Sequence, residues 1–185
     1  MAGFLEKFAF IEECADSFIA LKIIVEKLQK VGALNKNQAG VLSGCIQTGS
    51  TYLRTHFPFN IQNESKCIHH CANHAVSNPN LDTPKSRIKS FHAPCIIEHE
   101  EDANCFHCEQ ITKTMMTIKG VIANFVTQDP AFEEDALELL YDLNEAHTKI
   151  FAFKRHLMRS FIQNNDWEGL LLSKDPNTVL VICDW

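Results

Sequence analysis

Between Cys67 and Cys108 the chain carries five cysteines and six histidines. They fall in two knots, "CIHHCANH" at 67–74 and "CIIEHEEDANCFHC" at 95–108. The surrounding stretch, 57–110, is punctuated by Pro58, Pro79, Pro84 and Pro94 and is poor in aliphatic side chains. Such a segment cannot bury enough apolar surface to fold on its own, and small segments of this kind are held by a metal or by disulfides. The mixing of cysteine with histidine selects metal, because a disulfide framework has no use for imidazole.

A structural zinc ion takes four thiolate or imidazole ligands in a tetrahedron. In "CFHC" two intervening residues let Cys105 and Cys108 reach one ion, and Cys95 with His99 supplies a second arm. The spacing therefore predicts a zinc site of Cys95, His99, Cys105 and Cys108. It competes with an all-cysteine site in which Cys67 and Cys71 join Cys105 and Cys108 across the proline-rich loop. A second ion, held by Cys67, Cys71 and two histidines of the upstream knot, with His70 and His74 as candidates, remains open. Cys14, Cys45 and Cys183 lie in apolar stretches and read as small core thiols. His56, His147 and His156 read as ordinary polar positions.

Catalytic zinc needs an open coordination position and a base. Glu98, Glu100 and Glu101 flank His99, so a base is at hand. However, "HAPC" lacks the cysteine three residues on that a zinc deaminase requires, and "HEEDANC" lacks the second histidine of a metalloprotease helix. There is no glycine-rich phosphate loop either. The expectation is a non-enzymatic site, with a metal-dependent hydrolase as the lesser alternative.

The flanks read as helices. Phe4, Phe8, Ile11, Ala15, Phe18, Val25 and Leu28 recur at helical spacing over 4–31, and Gly32 stands at the stop. A second helix over 37–56, ended by Pro58, makes a hairpin with the first; its glycines weaken it. A helix over 111–126 follows. Asp129 and Pro130 then open a helix of about 30 residues, longer than most in globular proteins. Its predicted apolar face is Phe132, Ala136, Leu140, Leu143, His147, Ile150, Leu157 and Phe161. Acids fill its early turns, and Lys154, Arg155 and Arg159 its late ones, matching the helix dipole. A helix this long is expected to pack against another helix or a second copy of itself, so a homodimer is a candidate assembly. The end, "TVLVICDW", reads as a strand. The fold class expected is mainly α: a helical hairpin (1–56), an irregular zinc-braced Cys/His module (57–110), a helical segment with the long amphipathic helix (111–165), and a linker with a terminal strand (166–185), either covered by the helices or cut from a larger α/β domain.

Formal net charge is -6 and the sequence pI about 5.8, against a surface covered in nucleic-acid-binding charge. A local basic run remains: Lys85, Arg87 and Lys89, without an acid between them, lead into the second knot and are candidates for phosphate contacts with DNA. The N-terminal apolar run is broken by Glu6, Lys7, Glu12 and Glu13, unlike a signal peptide, and no stretch has the composition of a membrane span. An intracellular protein, nuclear or cytoplasmic, is the expectation.

The order and spacing of "YLRTHFPFNI", "HHCANHAVSNP", Cys95, His99, "CFHC", "HLMRSF" and "VLVICDW" resemble a group of large uncharacterised invertebrate proteins of mobile-element descent. The resemblance covers roughly residues 50–185. It implies that Asp184 would close the first strand of a transposase-like sheet, where such an acid holds divalent metal with two more carboxylates. Those partners are absent from this chain, so the chain alone is expected to be inactive. The functional expectation is a zinc-binding module, either a DNA-contacting segment of a transposon-derived protein or a protein-interaction and dimerisation module.

Overall fold

The computed structural model describes residues 2–77, 95–99 and 103–172. Four segments share one pattern of buried residues, alternating spacings of three and four. In α1 (Ala2–Lys30) the stripe is Cys14, Phe18, Leu21, Val25 and Leu28; in α2 (Lys36–Thr55) it is Ala39, Leu42, Ile46, Gly49 and Leu53. In α5 (Phe106–Gln128) it is Cys108, Ile111, Met115, Ile118 and Ile122; in α6 (Glu133–Leu172) it is Phe132, Ala136, Leu139, Leu143, Ala146, Ile150 and Phe153, beginning one residue before the helix. A repeat averaging 3.5 residues keeps one narrow seam turned inward along a helix, as bundle packing requires.

Local chemistry sets the ends. Gly32 takes φ 85°, the left-handed region, and Leu34 N–H closes onto the Leu28 carbonyl at 3.2 Å. Asn35 and Gln38 then cap α2 reciprocally, each side chain accepting from the other's backbone N–H at 2.9 Å. Asp129 accepts from Ala131 N–H at 3.2 Å and Pro130 opens a 3-10 turn into α6.

Each long helix packs on the next, α1 on α2, α2 on α5, α5 on α6, and α6 back on α1. Neighbours run antiparallel. Lys27 near the end of α1 meets Glu138 near the start of α6 at 3.3 Å, while residues 13–20 face residues 141–149. The end of α2 meets the start of α5, where Gln110 donates to Cys45 Sγ at 3.3 Å. The result is an up-down-up-down four-helix bundle. Gly49 allows the α2–α5 approach: a Cβ there would stand 2.8 Å from Ile111 Cγ1.

The long crossover from α2 to α5 carries α3 (Phe57–Asn60), a 3-10 turn at Ile68–His70, and α4 (Ala72–Ser77). Its part at 57–77 lies against the second half of α6, with Ile68, His69, His74 and Ala75 facing Phe151, Lys154, Arg155 and Met158. One continuous buried cluster runs through the bundle and takes in Phe57, Ile61, Ala72 and Cys108. The module thus borrows the bundle's core.

The mainly α fold, the hairpin and the long helix stand as expected. Several details differ. α6 has 40 residues, so Lys154, Arg155 and Arg159 lie well inside it and do not complement its last turn. On its inner face Leu139, Ala146, Phe153, Met158 and Ile162 are buried, where the sequence suggested Leu140, His147, Leu157 and Phe161. Leu140, Leu157 and Phe161 are half-buried and His147 is exposed. Beyond Phe153 the seam shifts because the partners change from the bundle to α3 and α4. In α1, Ile11 is exposed and Cys14, Leu21 and Ile24 share the core with Phe18, Val25 and Leu28. The side chains of Phe4 and Phe8, and the strand expected at "TVLVICDW" with Asp184, lie outside the described residues. The described residues hold no strand, only an isolated bridge between Gln62 and Cys71, and no helix among them is long and apolar enough to cross a membrane.

Candidate metal centre

The crossover backbone is pinned first. Gln62 N–H donates to the His70 carbonyl at 3.0 Å, Ala72 N–H to the Gln62 carbonyl at 2.9 Å, and Asn73 N–H to the Asn63 carbonyl at 3.1 Å. These bonds fix residues 70–73, and Cys71 and Ala72 are fully buried beneath them. At the start of α5, Cys105 occupies the N-cap and Cys108 the first turn, so the bundle itself sets their positions.

Two groups of ligand atoms converge, each with all atoms within 4.8 Å of one another: His70, Cys105 and Cys108, and Cys71, Cys95 and His99. Each draws one residue from the upstream knot and two from downstream. In the second group Cys71 Sγ and Cys95 Sγ are 3.7 Å apart and Cys95 Sγ and His99 Nε2 3.6 Å apart. In the first, Cys108 Sγ and His70 Nε2 are 3.9 Å apart. Tetrahedral zinc with ordinary bond lengths puts sulfurs about 3.8 Å apart and sulfur and nitrogen about 3.5 Å apart. His99 Nδ1 is 3.1 Å from the Ser65 carbonyl, so it carries the hydrogen and Nε2 keeps its lone pair toward Cys95. This is the outer support expected of a metal-ligating histidine.

Burial governs the protonation of these groups. Burial, then Lys154 and His69, lower His70 to a pKa of about 4, and burial with His99 lowers His74. Both imidazoles are neutral at pH 7, with a lone pair available. Burial pushes the Cys108 thiol up to about 12 against the opposing pull of Lys154, and burial raises Cys95. A bound divalent cation reverses such shifts and drives the thiols to thiolates, releasing their protons.

The candidate ligands therefore distribute as follows. Cys95 and His99 do not converge with Cys105 and Cys108; each pair joins its own residue of the upstream knot. His70 and Cys71, adjacent in sequence, belong to different groups. Cys67 and His74 lie outside the two close groups. Lys85, Arg87 and Lys89, and the acids Glu100 and Glu101, lie outside the described residues; Glu98 is exposed. Cys14 is a core thiol, 0% exposed and raised to about 12 by burial.

Two site residues escaped the sequence reading. Tyr52, 4% exposed on α2, places its Oη 2.9 Å from His70 Nε2 and 3.1 Å from Cys105 Sγ, with its ring stacked on His107. Lys154 sends its ammonium between His69 Nδ1, at 3.4 Å, and the Phe57 ring, 5.4 Å from the centroid, and lines the small cavity beside Cys108. Nothing in the spacing of a lone tyrosine in α2 or a lysine in α6 marks it as a neighbour of this cluster. No protein-family model, no curated protein and no solved structure matches the chain.

Proposed function

We propose that this chain is a non-enzymatic zinc-binding helical module, in which zinc staples the α2–α5 crossover onto one end of the bundle. The observation that carries this is the pair of convergent Cys/His groups, each with its ligand atoms within 4.8 Å of one another and each tying the knot at 67–74 to a downstream arm. A structural site asks for thiolates and imidazoles in a closed, buried setting. Cys71 is 0% and Cys108 3% exposed, and neither group contains a carboxylate. The cavity beside Cys108, lined by Leu53, Ile111, Ile150, Phe151 and Lys154, has about 10 Å³, room for one water; a larger one of about 240 Å³ opens across His69, His74 and Lys154. Zinc is the ion this donor set favours, since thiolate with imidazole suits it and hard oxygen-seeking cations do not.

The DNA-contacting role draws on Lys85, Arg87 and Lys89, outside the described residues, and the geometry favours the bracing role. The test is elemental analysis of the purified full chain beside Cys71→Ala and Cys108→Ala. Two zinc ions per chain are expected, one in each variant. A well-folded chain that carries no zinc refutes the reading.

A further inference from the structure

Three turns around the two groups share one backbone form. Cys67 (φ −75°, ψ 111°), Cys71 (φ −82°, ψ 106°) and Cys105 (φ −79°, ψ 114°) are each extended, and each stands just before a helical turn. In each turn a backbone N–H folds back onto the cysteine carbonyl: His70 onto Cys67 at 3.0 Å, Ala75 onto Cys71 at 3.1 Å, and Glu109 onto Cys105 at 3.0 Å. A cysteine in this position and the residue three further on, one helical turn away, lie on one side of the chain. In the Cys105 turn both, Cys105 and Cys108, belong to one group. By the same geometry "CIHHCANH" is two such units in tandem, Cys67-x-x-His70 followed at once by Cys71-x-x-His74. The boundary between the units falls between His70 and Cys71, where the boundary between the two groups also falls.

We propose that Cys67 is the fourth ligand of the His70, Cys105 and Cys108 site and His74 the fourth ligand of the Cys71, Cys95 and His99 site. This inference rests on the zinc-binding reading above and gives it one closed Cys3His centre and one closed Cys2His2 centre. Two independent observations agree. The His74 ring already meets the His99 ring edge to face, with centroids 4.9 Å apart. Charge balance separates the centres in the same way. Three thiolates on a divalent ion leave one net negative charge, and Lys154, which lines one small cavity with Cys108 and reaches His69 Nδ1 at 3.4 Å, stands beside that centre. Among the described residues no carboxylate forms an ion pair with Lys154. Two thiolates and two neutral imidazoles leave no net charge, and need no such cation. Tyr52 Oη is the rival for the fourth corner of the first centre. On this assignment it stays outside the ligand set and donates its hydrogen to the Cys105 sulfur.

The experiment loads the full chain with cobalt as a spectroscopic stand-in for zinc, and reads the sulfur and nitrogen shells of the zinc form by X-ray absorption. The wild type should bind two ions in tetrahedral fields. Its ligand sulfurs are those of Cys67, Cys71, Cys95, Cys105 and Cys108. Cys67→Ser should lose one ion and lower the thiolate-to-cobalt absorption. His74→Ala should weaken the other ion with that absorption per bound thiolate unchanged. Cys67→His, which keeps a ligand if Cys67→Ser fails to fold, should hold both ions with one sulfur exchanged for nitrogen. Tyr52→Phe should hold both. Two ions bound as tightly as in the wild type by both Cys67→Ser and His74→Ala overturns the assignment, as does loss of one ion in Tyr52→Phe. A wild type that binds neither cobalt nor zinc overturns instead the zinc-binding reading on which it rests.

Discussion

The α2–α5 approach can be tested through Gly49. A Cβ at this position would meet Ile111 Cγ1 at 2.8 Å, Ile111 Cδ1 at 3.4 Å and Phe18 Cε1 at 3.6 Å. The first distance is a clash with an atom near the root of a side chain that is 6% exposed and cannot swing away. Overpacking of this kind costs roughly 1–3 kcal/mol, while replacing a mid-helix glycine by alanine returns about 1 kcal/mol of backbone propensity. Gly49→Ala in the wild type should therefore be neutral to destabilising by about 2 kcal/mol. In an Ile111→Ala background, itself destabilised by about 2–5 kcal/mol, the clash is gone and only the propensity term and some cavity filling remain. There Gly49→Ala should stabilise by about 1 kcal/mol, so the sign reverses. Gly40→Ala and Gly44→Ala, where an added Cβ meets nothing within 4 Å, serve as controls and should stabilise in both backgrounds. Urea unfolding of the metal-loaded protein measures all of these; for a chain of this size about 1 kcal/mol moves Tm by roughly 2–4 °C. If Gly49→Ala stabilises equally with and without Ile111, glycine is not there for helix approach. The seating of Tyr52, three residues on, against Cys105 would then need another cause.

Three further outcomes follow from the site. Tyr52→Phe removes the hydroxyl at His70 and Cys105 and should lower affinity for the nearby ion roughly 10–100-fold, as loss of an outer partner does, without changing the number of ions bound. Chelation should expose the crossover to protease between residues 60 and 105 while far-UV circular dichroism stays largely helical, because the four long stripes bury their apolar residues against one another; collapse of helicity on chelation would contradict the borrowed-core picture. In the metal-free chain His70 is held at about 4 against an ordinary value of 6.5, so the unfolded chain binds its proton first. The stability this group contributes is complete above pH 6.5 and should decline as pH falls toward 4, a slope that His70→Gln should flatten.

The helices were legible because burial wrote itself into three- and four-residue spacings, and caps such as Asp129–Pro130 are local chemistry. The exact seam of α6 was less so. Leu140 and Leu139 are both leucine, and a straight 3.6-residue reading chooses one where a bundle repeat chooses the other. Six of the eight candidate ligands, His70, Cys71, Cys95, His99, Cys105 and Cys108, fall in groups near enough to hold an ion, and residue type and density mark them in the sequence. Their partition was not legible. Cys95 and His99 sit close to Cys105 and Cys108 in sequence, and sequence distance is a poor guide to which of them converge. What separates them is the backbone ladder from Gln62 to Ala72, which turns His70 and Cys71 to different groups, and no sequence pattern encodes that ladder. Tyr52 and Lys154 reach the site only because α2 and α6 are bundled, a tertiary fact.

The pairing is nested, the end of the knot with the nearer arm and its start with the farther one, and this sets an order of metal loss. Loop length does not decide it. Cys71 and Cys95 are separated by 24 residues and His70 and Cys108 by 38, and closing the longer loop costs only about 0.4 kcal/mol more. Anchoring decides it. Cys108 is 3% exposed within the bundle core, and Cys105 caps a helix of 23 residues. The arm at 95–99 has no regular structure, Ile96 is 86% exposed, and the arm meets the body through His99 at the Ser65 carbonyl and Cys95 at Cys71. An ion held by that arm must order it on binding, and that entropy lowers its affinity. A limiting chelator should therefore empty the Cys71, Cys95 and His99 centre first. Cobalt spectra of Cys95→Ala and Cys108→Ala identify which centre each phase belongs to: Cys95→Ala should abolish the fast phase of release and leave the slow one. The opposite assignment, with Cys108→Ala removing the fast phase, would mean that the bundle does not hold its centre ready and that the arm at 95–99 is the better anchored of the two.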